Sequence, residues 1–199
     1  MDVDAKLAEY ARMLRASPHN LMSPRALQEL EGRHLPEARA VGALLPAPSP
    51  QGGRVLDVGS GGGLPGIVVA ITRTDLMVDL LESRSKKVRF LTAVVDRLAL
   101  PSQVHEGRAE DLARTELART YDVVTARAVA PLPRLLGWTL PFLRPGGLLY
   151  AVKGERWRAE VAEAADQLVR WQASVVVTPS DQSGPHDAVQ IVVVRRDVA

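Results

Sequence analysis

The chain has no cysteine in its 199 residues. That excludes a disulfide scaffold, a Cys-ligated zinc or iron–sulfur centre, and a cysteine nucleophile. It fits a cytoplasmic setting. Long hydrophobic runs are also missing, since none approaches the ~18–20 residues that span a bilayer. The opening Met1-Asp2-Val3-Asp4-Ala5-Lys6 lacks the basic region and apolar stretch of a secretory signal, so neither signal nor membrane association is expected. Excess charge of one sign is absent: 25 Lys+Arg face 23 Asp+Glu, a formal net charge of +2. That balance does not by itself announce a nucleic-acid partner. No internal repeat is apparent. His19, His105 and His186 share no metal-ligand spacing, and no metal is expected.

What is present is ordinary globular composition, with 46% apolar residues, enough for one domain with its own core. The stretch Pro46-Ala47-Pro48-Ser49-Pro50, followed by Gly52-Gly53, is the clearest punctuation. Helical spacing precedes it: Asp4 to Arg15, Pro24 to Glu31 with Ser23 as N-cap, and His34 to Leu45 with Pro36 in its first turn. Alternating strands and helices follow. Strands are expected at Arg54–Val58, Leu76–Leu81, Gln103–His105, Tyr121–Thr125, Gly147–Lys153, Val175–Val177 and Val189–Val194. Helices are expected at Ser85–Leu98, Pro131–Leu143 and Glu155–Trp171. This alternation implies an α/β fold with a largely parallel sheet. The last two strands are separated by Ser183-Gly184-Pro185 rather than a helix, so that pair should be antiparallel. Trp138, Trp157 and Trp171 fall on helices and read as packing residues.

The strongest local signal is Val55-Leu56-Asp57-Val58-Gly59-Ser60-Gly61-Gly62-Gly63-Leu64-Pro65-Gly66, a strand running into glycines and opening a helix. Glycines permit a sharp turn and close approach of a ligand, and a helix start offers free N–H groups. A nucleotide-like cofactor across the carboxyl ends of the strands is implied. Gly61-x-Gly63-x-x-Gly66, with Glu82 lying 19 residues beyond Gly63, also satisfies a dinucleotide fingerprint. Asp57 separates the two cofactors: its carboxylate repels a pyrophosphate and attracts the ammonium of S-adenosylmethionine, directly or through water. A purely structural turn, with Asp57 binding loop amides, is the third reading. An NAD(P)-dependent oxidoreductase and a non-catalytic nucleotide-binding module therefore stand as alternatives.

Several stretches, read in order, carry a more specific likeness. They are Asn20-Leu21, Arg33-His34-Leu35, the glycine loop itself, Leu80-Leu81-Glu82-Ser83 and Lys86-Lys87-Val88-Arg89-Phe90-Leu91. Gly107-Arg108-Ala109-Glu110-Asp111, Thr125-Ala126-Arg127-Ala128-Val129-Ala130 and Tyr150-Ala151-Val152-Lys153-Gly154 complete the set. Together they resemble the RsmG (GidB) family of bacterial 16S rRNA 7-methylguanosine methyltransferases. The resemblance implies a class I Rossmann-like fold of seven strands with an antiparallel last strand. Residues 1–50 would form a helical extension packed on a methyltransferase domain of residues 51–199. It implies S-adenosylmethionine as donor, S-adenosylhomocysteine as product, and N7 of guanine 527 in the decoding-centre loop of 16S rRNA as acceptor. The substrate would be a small ribosomal subunit or an assembly intermediate. Gly59, Leu64, Ala109, Glu110 and Arg127 would line the cofactor site with Glu82 on the ribose, and Asp57, Gly61 and Ser83 belong to the same matched stretches. His34 would face substrate. Where the family usually has an Asp-Ser pair after His34, this chain has Glu37-Ala38. Gly62 stands where the family often has proline, which should loosen the loop.

The residues agree with that chemistry. There is no Cys to activate a pyrimidine ring, and Thr125-Ala126-Arg127-Ala128-Val129-Ala130-Pro131 replaces the motif of exocyclic-amine methyltransferases. Guanine N7 carries a lone pair and no hydrogen, so no general base is required, and orientation is the task. Arg127 or Lys153 is expected to orient the base by donating to O6. Arg84-Ser85-Lys86-Lys87-Val88-Arg89 places four cations in six residues at a helix start, against the helix dipole. Lys86, Lys87 and Arg89 are expected to meet RNA phosphate.

Overall fold

The computed structural model describes residues 1–48, 53–177 and 190–197. Three helical segments come first. Helix α1 (Val3–Ala16) is capped by Asp2, whose carboxylate accepts the Ala5 amide at 2.8 Å, and it buries Leu7, Tyr10, Ala11 and Leu14. Helix α2 (Pro24–Gln28) starts on the Ser23 cap, and α3 (Leu35–Leu44) follows. The expected gap between these two helices is instead a turn of π-helix, Leu30–His34. Pro36 supplies a reason: its ring clashes with a regular turn and it has no N–H for the preceding carbonyl. Widening the turn removes the conflict, with the His34 amide donating five residues back to the Glu29 carbonyl.

Seven strands form one sheet: β1 (Arg54–Val58), β2 (Met77–Glu82), β3 (Val104–Glu106), β4 (Tyr121–Arg127), β5 (Leu143–Lys153), β6 (Ala173–Val177) and β7 (Gln190–Arg196). Their order is β3-β2-β1-β4-β5-β7-β6. The β1–β2, β1–β4, β2–β3 and β4–β5 pairs are parallel. β7 runs antiparallel to both β5 and β6, as expected of the closing pair. The turn signal between them, Ser183-Gly184-Pro185, lies outside the described residues, as do Val189 and His186. Because the chain leaves β1 toward β2 on one side and returns to β4 on the other, a crevice opens at the carboxyl ends of these strands.

Between strands run α4 (Gly66–Thr72), α5 (Ser85–Leu98), the short α6 (Ala109–Leu112), α7 (Leu132–Thr139), α8 (Trp157–Glu163) and α9 (Ala165–Arg170). Two expectations shift. The helix expected to reach Leu143 ends at Thr139 and tightens into a 3₁₀ turn, Leu140–Phe142, around Pro141. β5 then begins four residues early, with Leu143 opposite Tyr121, and resumes pairing after the Pro145-Gly146 bend. The long helix expected over Glu155–Trp171 breaks at the buried Ala164. On one face of the sheet, Leu7, Tyr10, Leu14, Leu35 and Val41 share a continuous core with α4 and α5. The other face packs α7 and Trp157 against Leu56, Val124, Leu149 and Val192.

Candidate cofactor and substrate site

The glycine loop turns sharply between β1 and α4. Gly59 has φ +71°, and a Cβ there would stand 2.8 Å from Val129. Gly66, at the start of α4, is packed so closely that a Cβ would meet Leu80 at 2.5 Å and the Asp57 carboxylate at 2.7 Å. Only glycine meets both requirements. Asp57 lies under this loop at 1% exposure. Its Oδ2 accepts the Gly66 amide at 3.2 Å and its Oδ1 the Thr125 hydroxyl at 2.8 Å. Burial pushes the Asp57 carboxyl up to about 6, against the pull of the Thr125 hydroxyl, the Gly66 amide and the positive charge of Arg127.

Glu82 closes β2 and holds the loop from the other side. Its Oε2 accepts the Gly61 amide at 3.0 Å, and its Oε1 accepts the amides of Ser83 and Arg84 at 2.8 and 2.9 Å. From α1, the Tyr10 hydroxyl donates to the Gly62 carbonyl at 2.8 Å. The loop expected to be loosened by Gly62 is thus tied through that residue's own carbonyl. Burial pushes the Tyr10 phenol up, so it remains a neutral donor.

A cleft of about 360 Å³ opens above these contacts. Gly59, Glu82 and Ser83 line it from β1 and β2, and Ala109 and Glu110 from the start of α6. Ala128, Val129 and Trp138 complete the wall after β4, while Arg84, Lys87 and Arg108 bring positive charge. Trp138, read as packing, is half-buried here and sits beside Arg134, whose guanidinium carbon is 5.9 Å from the ring centroid. Asp57, Gly61, Leu64 and Arg127, also expected at the cofactor, do not line it; Asp57 and Gly61 take part in the hydrogen bonds that hold the loop.

Arg127 ends β4 and meets the N-terminal helices. Its Nη1 is 3.2 Å from Glu37 Oε2 and 3.3 Å from His34 Nδ1. His34 Nδ1 is in turn 3.1 Å from Glu37 Oε2, and Arg33 Nε donates to Glu37 Oε1 at 2.7 Å. The expected substrate residues His34 and Arg127 are therefore brought together. Glu37, which the sequence marked only as a departure, is the link between them. The structure does not bring Lys153 into this group. Its Nζ donates to the Ala130 carbonyl at 2.8 Å and pairs with Glu160 at 2.9 Å, with its side chain 6% exposed. The β5 register carries it beneath the β4–α7 connection, where Glu160 of α8 neutralises it. Lys86 and Arg89 are exposed on α5 and Lys87 is half-exposed. Among the described residues no acid–histidine cluster suits a metal, and no helix is long and apolar enough to cross a membrane.

Comparison with known proteins gives a consistent result. A family model described as rRNA small subunit methyltransferase G matches residues 4–187. A Thermobifida fusca protein named ribosomal RNA small subunit methyltransferase G is 47% identical over 156 residues, covering 78% of this chain and 63% of that protein. A Sorangium cellulosum protein of the same name is 42% identical over 185 residues, covering 92% and 77%. The chain thus spans less than two thirds of the first relative's length. Among solved structures, a variant of MtNAS in complex with S-adenosylmethionine aligns with a TM-score of 0.64 at 18% identity, over 97% of this chain and 72% of that one. A SAM-dependent O-methyltransferase from Thermotoga maritima gives 0.57 at 16% identity, over 82% and 65%. These likenesses are of fold: the sheet is the class I, Rossmann-like arrangement.

Proposed function

The chain belongs to the small-subunit rRNA methyltransferase G family, and from that premise we propose that it transfers a methyl group from S-adenosylmethionine to N7 of a guanine in the decoding-centre loop of 16S rRNA. The observation carrying the reading is the cleft at the carboxyl ends of β1, β2 and β4, lined by Gly59, Glu82, Ser83, Ala109 and Glu110. Its volume of about 360 Å³ falls within the range of small-molecule sites. The backbone at Gly59 comes to the cleft without a side chain, and Glu82 lines it with a carboxylate, the acceptor to which a ribose diol donates. Bound there, S-adenosylmethionine supplies an electrophilic methyl group.

The chain's own residues then bind and orient. Glu82, Ser83, Ala109 and Glu110 hold the cofactor, and Asp57 stiffens the loop from below. The buried acid also disfavours a pyrophosphate over the same loop, which weighs against the dinucleotide reading. Arg127 orients the base, by donation to O6 or to a neighbouring phosphate, leaving N7 free. Guanine N7 has no proton to remove, so no general base is needed. Lys86, Lys87 and Arg89 meet phosphate, and His34 closes the site from the N-terminal helices that pack on the sheet. Lys153 acts at one remove, fixing the segment after Arg127 through the Ala130 carbonyl. The substrate is read as a small subunit or an assembly intermediate in the cytoplasm.

The test is transfer of labelled methyl from S-adenosylmethionine to small subunits from cells lacking this gene, with cleavage mapping at 7-methylguanosine. A single labelled guanine in the decoding-centre loop is expected. No label, on subunits that another N7 methyltransferase accepts at that guanine, overturns the reading.

A further inference from the structure

Arg127 is held by one nitrogen only. Both of its contacts, to Glu37 Oε2 and His34 Nδ1, run through Nη1. Its Nε and Nη2 have no hydrogen-bond partner among the described residues. Arg127 shares a strand face with Thr125, whose hydroxyl holds Asp57 beneath the loop, and it is followed by the cleft residues Ala128 and Val129. The guanidinium therefore stands between the glycine loop and the N-terminal helices, with two donor nitrogens uncommitted.

Glu37 is built to hold it there. Its side chain is 10% exposed, and Arg127 and His34 are at 19% and 13%. Arg33 occupies Oε1, which fixes the carboxylate plane and turns Oε2 toward Arg127. The π turn places Arg33 and His34 at its end and Glu37 in the first turn of α3, so all three side chains converge on one point. A charge-assisted bond to a guanidinium is stronger and shorter than a neutral one, and it restricts rotation of the planar group.

We propose that Glu37 is a positioning residue for Arg127: it anchors Nη1 so that Nε and Nη2 are presented to the guanine or its flanking phosphate. This rests on the methyl-transfer reading above. It assigns a role to the residue at which this chain departs from the pattern of its family, and it explains how the helical residues contribute to a site built mainly on the sheet.

The test is Glu37→Gln and Glu37→Asp, alone and in an Arg127→Ala background, with three readouts. For E37Q, kcat is expected to fall about tenfold or more, while the Kd for S-adenosylhomocysteine changes less than about threefold. E37D, which keeps the charge but is one methylene shorter, should recover part of the loss. In the Arg127→Ala background neither substitution should lower activity further, because the group they position is gone. The ¹⁵N NMR signals of the Arg127 guanidinium, which need no substrate, should show hindered rotation in the parent protein and faster rotation in E37Q. Unchanged guanidinium dynamics, or an equal loss of kcat with and without Arg127, overturns the inference. Should E37Q fail to fold, E37D carries the same comparisons. Absence of methyl transfer by the parent protein refutes the methyl-transfer reading instead, and the NMR arm still decides the positioning.

Discussion

Asp57 sits at 1% exposure with its carboxyl pushed up to about 6 from an ordinary 3.8. A raised acid favours the neutral form in the fold. Between pH 4 and 6 the native state holds more protons than the unfolded chain, so this group's contribution to stability falls as pH rises and is flat above about 6. The full swing is about 3 kcal/mol. Asp57→Asn does not titrate. In urea denaturation at a series of pH values, the stability of the parent relative to D57N should therefore decrease from pH 4 to pH 7. A pH-independent difference would show that the carboxyl titrates in the fold as it does in the unfolded chain. Not every residue of the site was legible in this way. Ala109 and Glu110 are marked only by the family resemblance, whereas Asp57 and Glu82 stand out in the sequence because each lies in a short stretch at a strand end. Glu37 does not, because its partner Arg127 is 90 residues away and joins it only when α3 packs on the sheet. Lys153 illustrates the opposite: its position at the end of β5 is legible, but its neutralisation by Glu160 depends on where α8 folds back.

Elements declare themselves when their signal is local. The strand–glycine–helix unit of β1 and α4 and the apolar stripe of α5 are read directly from spacing, and the structure keeps α5 at Ser85–Leu98 as expected. The π turn at Leu30–His34 is legible only as a conflict, a helical pattern with Pro36 inside it. The break at Ala164 has no marker, since the residues around it favour helix and the interruption comes from packing. The contact between α1 and the glycine loop belongs to the same class. Tyr10 is spaced as an apolar helix residue, yet its hydroxyl is a buried donor to Gly62. Replacing it with Phe leaves a buried carbonyl without that partner. Tyr10→Phe should lower unfolding free energy by about 1–2 kcal/mol and speed hydrogen exchange of the loop amides, Gly61 above all. Unchanged exchange in a protein of unchanged stability would mean that the loop is rigid without α1.

The whole molecule is nearly balanced in charge but unevenly arranged. In the N-terminal helices Arg12, Arg15, Arg25, Arg33 and Arg39 each pair with a carboxylate. The Arg84, Lys87 and Arg108 side chains on the cleft wall, and those of Lys86 and Arg89 on α5, form no ion pair with a described carboxylate. Paired surface charges contribute little stability, and they also cancel each other's field at a distance. A group of unpaired cations thus lies on the side of the sheet where α5 begins, and there they repel one another and oppose the α5 dipole. A polyanion arriving at that edge relieves both. Phosphate contacts release counterions, at about 0.7 per contact in the slope of log K against log salt for single-stranded RNA. Neutralising Lys86, Lys87 and Arg89 together should make that slope shallower by about 2 for a small-subunit rRNA fragment carrying the decoding-centre loop. Neutralising Arg12 and Arg25, which are already paired, should leave it unchanged. Filter binding across a range of potassium chloride concentrations measures both. A weaker but equally steep dependence in the triple variant would mean that these residues act through the folding of α5. An equal loss of slope in the Arg12 and Arg25 variant would mean that RNA spreads over the N-terminal helices as well, and that the pairing seen there opens on binding.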